Sequence, residues 1–137
     1  MIKFWSYERE YKKFKKYIIR DIDKTIKNGN IFFGKQLETF EKAFTKKYKA
    51  KYGIAVGSGT DALLISLKTL NLKQGDEIIT AANTAIPTIS AITNAGGRPR
   101  LVDIGEDYLI NVKKIEREIT SKTRAIIPVH LYGQMCA

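Results

Sequence analysis

The sequence predicts an α/β protein with a mostly parallel sheet covered by helices on both faces. Four short apolar runs alternate with three helical patterns from Tyr52 onward. The apolar runs occupy residues 54–56, 77–80, 101–104 and 125–131. The helical patterns occupy residues 60–70, 87–94 and 112–119. Strands that alternate with helices are typical of parallel sheets, because the connecting helices cover both faces. A glycine-rich turn between the first run and the first helix agrees with this architecture.

The N-terminal segment predicts two amphipathic helices. In the first, from Tyr7 to Ile26, apolar side chains recur every three or four residues, with lysines between them. Ser6 is a candidate N-cap, and Asn28-Gly29 can end this helix. The second helix has the same spacing, with apolar residues Leu37, Phe40, Phe44 and Tyr48. We therefore divide the chain into a helical segment, residues 1–50, and a partial α/β domain, residues 51–137.

Two further residues mark helix starts in the α/β part. Pro87 suits the first turn of a helix, where its missing N–H costs nothing. Asn111 suits an N-cap position, where its side chain can accept a hydrogen bond from the following backbone.

The most informative stretch for function is Gly57-Ser58-Gly59-Thr60, which separates a predicted strand from a predicted helix. The first N–H groups of a helix have no partner within it, so backbone alone can hold a phosphate there. Ser58 and Thr60 add hydroxyl donors, although Ser58 can equally be a simple N-cap. The stretch lacks the third glycine of a dinucleotide-binding fingerprint, and Asp61 occupies the position of the lysine in a Walker loop. Neither of these nucleotide-binding motifs is therefore present here.

The positive charge of the chain lies in its N-terminal part. The formal net charge is +10, and residues 1–51 contain 15 Lys or Arg against 6 Asp or Glu. We interpret these lysines as a solvated helix face, with phosphate or nucleic-acid contact as the alternative. The aromatic side chains share the apolar stripe, which favours packing over base stacking.

Cysteine and histidine content limits the possible chemistry. Cys136 and His130 are the only residues of their types, so we expect no internal disulfide, metal site or cysteine–histidine catalytic pair. We identify neither a secretory signal nor a membrane span, and expect a cytoplasmic protein.

A series of short segments resembles, in order, the opening of the DegT/DnrJ/StrS sugar aminotransferases. The segments are IFFG at 31–34, LETFE at 37–41, GSGTDAL at 57–63, GDEII at 75–79, ANT at 82–84, AGG at 95–97, Pro99, VD at 102–103 and IPVHLYGQ at 127–134. The resemblance implies the N-terminal portion of the large domain of a pyridoxal-phosphate enzyme with the aspartate-aminotransferase-like fold (fold type I). Such enzymes transfer an amino group to a nucleotide-linked keto sugar in polysaccharide, lipopolysaccharide or antibiotic sugar biosynthesis.

The resemblance also implies a cofactor site at the carboxyl ends of two strands, where ligands of open α/β sheets collect. Ser58, Gly59 and Thr60 would hold the cofactor phosphate. Asn83 and Thr84 would lie nearby, although both can instead serve the local turn. Ala85 stands where many relatives have an aromatic residue, so only a small apolar contact with the cofactor ring is implied.

The family's Schiff-base lysine and its pyridine-binding carboxylate follow the point that matches Gln134. The resemblance therefore implies that both lie beyond Ala137, the last residue of the sequence. We assign no catalytic residue in this chain, and expect a fragment of about a third of a family member, inactive alone.

The complete enzyme is expected to be a homodimer that uses an amino-acid donor. A non-catalytic phosphate-binding module and a basic nucleic-acid-binding protein that uses residues 1–51 are the alternatives. No membrane partner is expected.

Overall fold

The computed structural model describes residues 6–29 and 31–137, and the chain divides into two units, Met1–Ala55 and Val56–Ala137. The first unit contains two helices, α1 (Tyr7–Lys27) and α2 (Lys35–Tyr48). Both predicted N-terminal helices are therefore confirmed.

The predicted capping residues of α1 are confirmed at its C-terminus but not at its N-terminus. Asn28 is the C-cap, and Gly29 follows with a φ of +67°, as predicted. Ser6 occupies the N-cap position, but its hydroxyl makes no capping hydrogen bond, so that part of the prediction is wrong. The start of α1 is exposed, and water can satisfy its first N–H groups instead.

The predicted strand at residues 54–56 is absent. The N–H of Ala55 donates to the Glu41 carboxylate over 2.8 Å, so a side chain of α2 takes the place of a neighbouring strand. Gly53 allows this close approach, because a Cβ there would lie 2.7 Å from Thr45 Cγ2. An apolar run becomes a strand only when another strand pairs with it, and none does in the described residues.

The second unit is an α/β layer structure. Its elements are α3 (Gly59–Lys68), β1 (Glu77–Ala81), α4 (Ile86–Asn94), β2 (Arg98–Val102), α5 (Val112–Ile115) and β3 (Thr123–Ile127), with 3₁₀ turns at Glu116–Glu118 and Leu131–Gly133. The three strands form a parallel sheet in the order β2-β1-β3. The predicted fold class is confirmed.

The central strand β1 is buried along its whole length because both of its faces are covered. On one face, Ile78 packs with Leu67 of α3 and with Ala91 and Ile92 of α4. On the other face, Ile79 and Ala81 pack with Val102 and Ile110, and Ile115 of α5 contacts this cluster. The core therefore lies on both sides of β1, as expected for the central strand of a parallel sheet.

Several predicted boundaries are wrong. β2 begins at Arg98 rather than at residue 101; Pro99 hides this start in the sequence but is tolerated because β2 is an edge strand. β3 ends at Ile127 rather than at residue 131, and Pro128, which has no N–H to donate, follows directly. The helical pattern at 112–119 is α5 followed by a 3₁₀ turn, with Asn111 as the predicted N-cap.

Candidate phosphate-binding site

The N-terminus of α3 is closed by a reciprocal pair of hydrogen bonds. Ser58 is the N-cap, and its Oγ accepts from the Asp61 N–H over 3.1 Å. The same hydroxyl donates to Asp61 Oδ2 over 2.9 Å. The N-cap interpretation of Ser58 is therefore confirmed, and its hydroxyl is already engaged.

Next to this pair lie donors that have no acceptor. In the part of the chain that the structure describes, no group accepts a hydrogen bond from the N–H of Gly59, the N–H of Thr60 or the Thr60 hydroxyl. A Cβ added at Gly59 would meet nothing within 4 Å, so the space above the helix start is open. Free donors beside open space at a helix N-terminus suit a phosphate group.

The second predicted segment follows β1 directly. The Asn83 Nδ2 donates to the Tyr108 carbonyl over 2.9 Å, whereas Asn83 Oδ1 is buried and has no partner in the described residues. Thr84 donates its hydroxyl to Thr88 Oγ1 over 2.8 Å. Ala85 is exposed and precedes α4 as its N-cap residue. Thr84 is thus satisfied within the turn and the Asn83 amide nitrogen by the distant Tyr108, but Asn83 Oδ1 remains available to a ligand.

Asn83 follows the carboxyl end of β1, and we expect the start of α3 to lie at the same edge of the sheet. Leu72, in the connection between α3 and β1, lies near the amino ends of β1 and β2. A Cβ at Gly97, the residue before β2, would lie 3.0 Å from Leu72 Cδ1 and 3.3 Å from Ile78 Cγ1. The end of α3 therefore lies near the amino edge. Because α3 shares a core cluster with β1 and α4, we expect its start to lie towards the opposite edge, where β1 leads into Asn83.

Sequence reasoning missed two aromatic residues near this edge. Tyr108 supplies the carbonyl that holds Asn83, and its ring meets the ring of Tyr132 edge to face at 6.4 Å. Both residues have positive φ, of 63° and 57°. Tyr132 lies in a segment that carries the family resemblance, but neither residue has a local signal that would have linked it to Asn83.

A charged pair follows β2. Lys114 Nζ donates to Asp103 Oδ2 over 2.7 Å, and this hydrogen bond, with the lysine's charge, lowers the pKa of Asp103. Lys114 is therefore held by a carboxylate rather than presented as a free amine.

The position of the Schiff-base lysine stays a prediction. The resemblance places it beyond Ala137, and the described residues end at Ala137, so the structure does not test this expectation. The last described segment does have local order, since the Cys136 N–H donates to His130 Nδ1 over 3.1 Å.

Two further features were searched for in the described residues. No three His, Cys, Asp or Glu side chains come close enough together to hold a metal ion. None of the helices described is both long and apolar enough to cross a lipid bilayer.

Residues 12–137 match the sequence profile of the DegT/DnrJ/EryC1/StrS aminotransferase family. The chain belongs to this family. One curated relative is the dTDP-3-amino-3,4,6-trideoxy-alpha-D-glucose transaminase of Micromonospora megalomicea subsp. nigra. It is 37% identical over 131 residues, which cover 95% of this chain and 35% of the relative. The predicted family resemblance is confirmed.

Solved structures of similar proteins share the fold. The crystal structure of S. venezuelae DesV superposes on this chain with a TM-score of 0.92 and 31% sequence identity. The match covers 98% of this chain and 37% of the DesV chain. NtdA from Bacillus subtilis, solved with bound cofactor PMP, matches 87% of this chain and 28% of its own, with a TM-score of 0.82 and 40% identity. The chain thus spans about a third of the length of the proteins it matches.

The residues present fit the phosphate end of the family's cofactor, pyridoxal phosphate. The free N–H groups of Gly59 and Thr60 and the Thr60 hydroxyl suit phosphate oxygens, which accept several hydrogen bonds. The buried, unpartnered Asn83 Oδ1 could accept a hydrogen bond from the rest of such a ligand.

Proposed function

We propose that this sequence forms the cofactor-phosphate part of a pyridoxal-phosphate-dependent aminotransferase that acts on a nucleotide-linked keto sugar. The observation that carries the proposal is the set of unpaired donors at Gly59 and Thr60, in a chain of the sugar aminotransferase family. The proposed partners are the keto sugar, an amino-acid donor and, in the complete enzyme, a second copy of the chain. The single free Cys136 agrees with a cytoplasmic location.

Gly59, Thr60, Asn83 and Ala85 contact the ligand in this proposal, whereas Ser58 supports the site. The N–H groups of Gly59 and Thr60, with the Thr60 hydroxyl, hold the phosphate, and the positive end of α3 favours its charge. Ser58 shapes the start of the helix as its N-cap. Asn83 accepts a hydrogen bond through Oδ1, while Ala85 offers a small apolar contact in place of an aromatic ring.

Bound pyridoxal phosphate supplies an aldehyde that carries the amino group and a ring that withdraws electrons from the reacting carbon. A lysine and a carboxylate must act on this group, and no lysine of this chain lies in the sequence context that the family uses. Lys114, near the carboxyl edge, is paired with Asp103. We therefore propose that residues 58–60 and 83–85 bind and orient the cofactor, and that the isolated chain does not turn over substrate.

Binding can be tested with pyridoxamine phosphate, which has no aldehyde and so cannot react with surface lysines. Thr60→Val removes one hydroxyl donor, and we expect it to weaken binding about tenfold, the value of one hydrogen bond to a charged group. Phosphorus NMR titration of the 137-residue chain measures the affinity. Thr69→Val is the matched control, since Thr69 is exposed at the other end of α3 and its hydroxyl donates only to the Ser66 carbonyl. Equal affinity of wild type and Thr60→Val would contradict the assignment.

Covalent chemistry is tested separately. After addition of pyridoxal phosphate and borohydride, we expect only scattered, substoichiometric labelling of surface lysines by mass spectrometry. Stoichiometric labelling of one lysine, together with amination of a keto sugar, would show that the chain is active by itself.

A further inference from the structure

Asp61 places a negative charge that has no ion-pair partner among the described residues beside the proposed phosphate site. Its Oδ2 lies 2.9 Å from Ser58 Oγ and 3.0 Å from the position that a Cβ on Gly57 would occupy. Among the ion pairs of the described residues, none joins a lysine or arginine to Asp61. A carboxylate therefore shares the helix N-terminus with the donors of Gly59 and Thr60.

This arrangement has two consequences for an incoming phosphate. Ser58 has a single O–H, and while it donates to Asp61 it cannot donate to a ligand. The carboxylate also repels a second anion at the same helix end, and this repulsion is only partly screened at low ionic strength. The cap that stabilises α3 thus opposes phosphate binding.

We propose that Asp61 is an internal competitor that limits the affinity of this site for phosphate ligands. The inference rests on the proposed function, because it assumes that the phosphate lies at Gly59 and Thr60. It makes two specific claims. The larger part of the penalty arises from the charge of Asp61 rather than from the hydrogen bond that occupies the Ser58 hydroxyl, and it applies to the phosphate group rather than to the ring of the ligand.

Asp61→Asn isolates the charge, because asparagine has the same shape and still offers an oxygen to the Ser58 hydroxyl. We expect the variant to bind pyridoxamine phosphate about three- to tenfold more tightly than wild type at low ionic strength. At about 1 M salt the ratio should approach one, because the screening length is then only about 3 Å. Pyridoxamine, which lacks the phosphate, should show no difference at either salt concentration.

Asp21→Asn is the matched control. Asp21 is an exposed carboxylate on α1, paired with Arg20, and its substitution changes the net charge of the chain by the same amount. It should leave the affinity for pyridoxamine phosphate unchanged. Asp61→Ser provides a second neutral variant, and far-ultraviolet circular dichroism checks that each variant keeps its helix content.

The outcomes separate the inference from the proposed function. Tighter, salt-sensitive binding by both neutral variants supports the inference. If wild type binds but neither variant binds more tightly, or if the gain is independent of salt, the inference is overturned while the phosphate site stands. If neither wild type nor the variants bind pyridoxamine phosphate, the proposed site itself fails, and the inference fails with it.

Discussion

At the scale of single residues, Gly97 shows how tightly the first core cluster is packed. A Cβ at this position would lie 3.0 Å from Leu72 Cδ1, 3.3 Å from Ile78 Cγ1 and 3.4 Å from Ile92 Cγ2. Ile78 and Ile92 are fully buried, so neither can move aside without disturbing the contact between the sheet and α4. Glycine is required here for space.

We expect Gly97→Ala to lower the free energy of unfolding by about 1–3 kcal/mol, the usual cost of overfilling a packed core. Urea denaturation followed by circular dichroism measures the change. The control is Gly59→Ala, where the added methyl meets nothing within 4 Å. Its effect on stability should stay below about 1 kcal/mol. An equal loss in the two variants would refute the packing argument.

At the scale of elements, buried carboxylates tie the amino ends of the strands to their neighbours. Glu77 of β1 accepts from the Thr120 hydroxyl at 2.8 Å, and Arg100 of β2 pairs with both Glu77 and Glu118. The adjacent Asp76 accepts from the Lys73 N–H and pairs with Arg124 of β3. One pair of acidic residues thus links all three strands.

These contacts lower the pKa of both carboxyl groups. For Glu77 the largest cause is the hydrogen bond from Thr120, with the charge of Arg100 adding to it. For Asp76 it is the backbone hydrogen bond from Lys73. Burial by itself raises the pKa of both carboxyl groups, but the net shift of each pKa is downward. A carboxylate whose pKa is lower in the folded state than in the unfolded state stabilises the fold at pH values above its ordinary pKa. This stabilisation is lost as the pH falls through the folded-state pKa.

We therefore expect the stability of the chain to fall in acid, and Glu77→Gln to flatten this dependence. The variant should be less stable than wild type at neutral pH, with the difference shrinking as pH falls through the lowered pKa of Glu77. Urea denaturation across this pH range provides the measurement. Glu106→Gln is the control, because Glu106 is exposed and makes no ion pair among the described residues. A constant gap between Glu77→Gln and wild type would rule out this linkage.

At the scale of the whole molecule, large apolar surfaces remain uncovered. Ile126 of β3 is 41% exposed, although its register partner Ile79 in β1 is fully buried. In the part of the chain that the structure describes, β3 pairs only with β1, so its other edge presents free backbone groups. An exposed edge with apolar side chains invites pairing with another chain.

We expect the isolated chain to self-associate, and Ile126→Lys to reduce this association. A charge on an exposed strand face discourages edge pairing without removing a core contact. Sedimentation velocity across a range of protein concentrations measures the change. Ser121→Lys adds the same charge at an exposed position outside the strand and should have less effect. A monomeric wild type, or equal association of the two variants, would contradict the role of β3.

The family resemblance and the alternating pattern were sufficient to predict the fold class and the three parallel strands that form, although a fourth predicted strand is absent. The turn at residues 57–60 does lead into a helix, as predicted, because glycines and a capping serine are local signals. The order β2-β1-β3 has no such signal. The link between Asn83 and Tyr108 joins residues 25 positions apart, and no local pattern encodes it.

What the sequence alone determined about this protein is therefore what neighbouring residues decide: the helices α1 and α2, the cap Asn111, and the glycine turn before α3. Tertiary structure alone decided that residues 54–56 form no strand, because the Ala55 N–H is taken by Glu41. Whether an apolar run becomes a strand depends on a partner distant in the sequence, whereas a helix satisfies its backbone within itself.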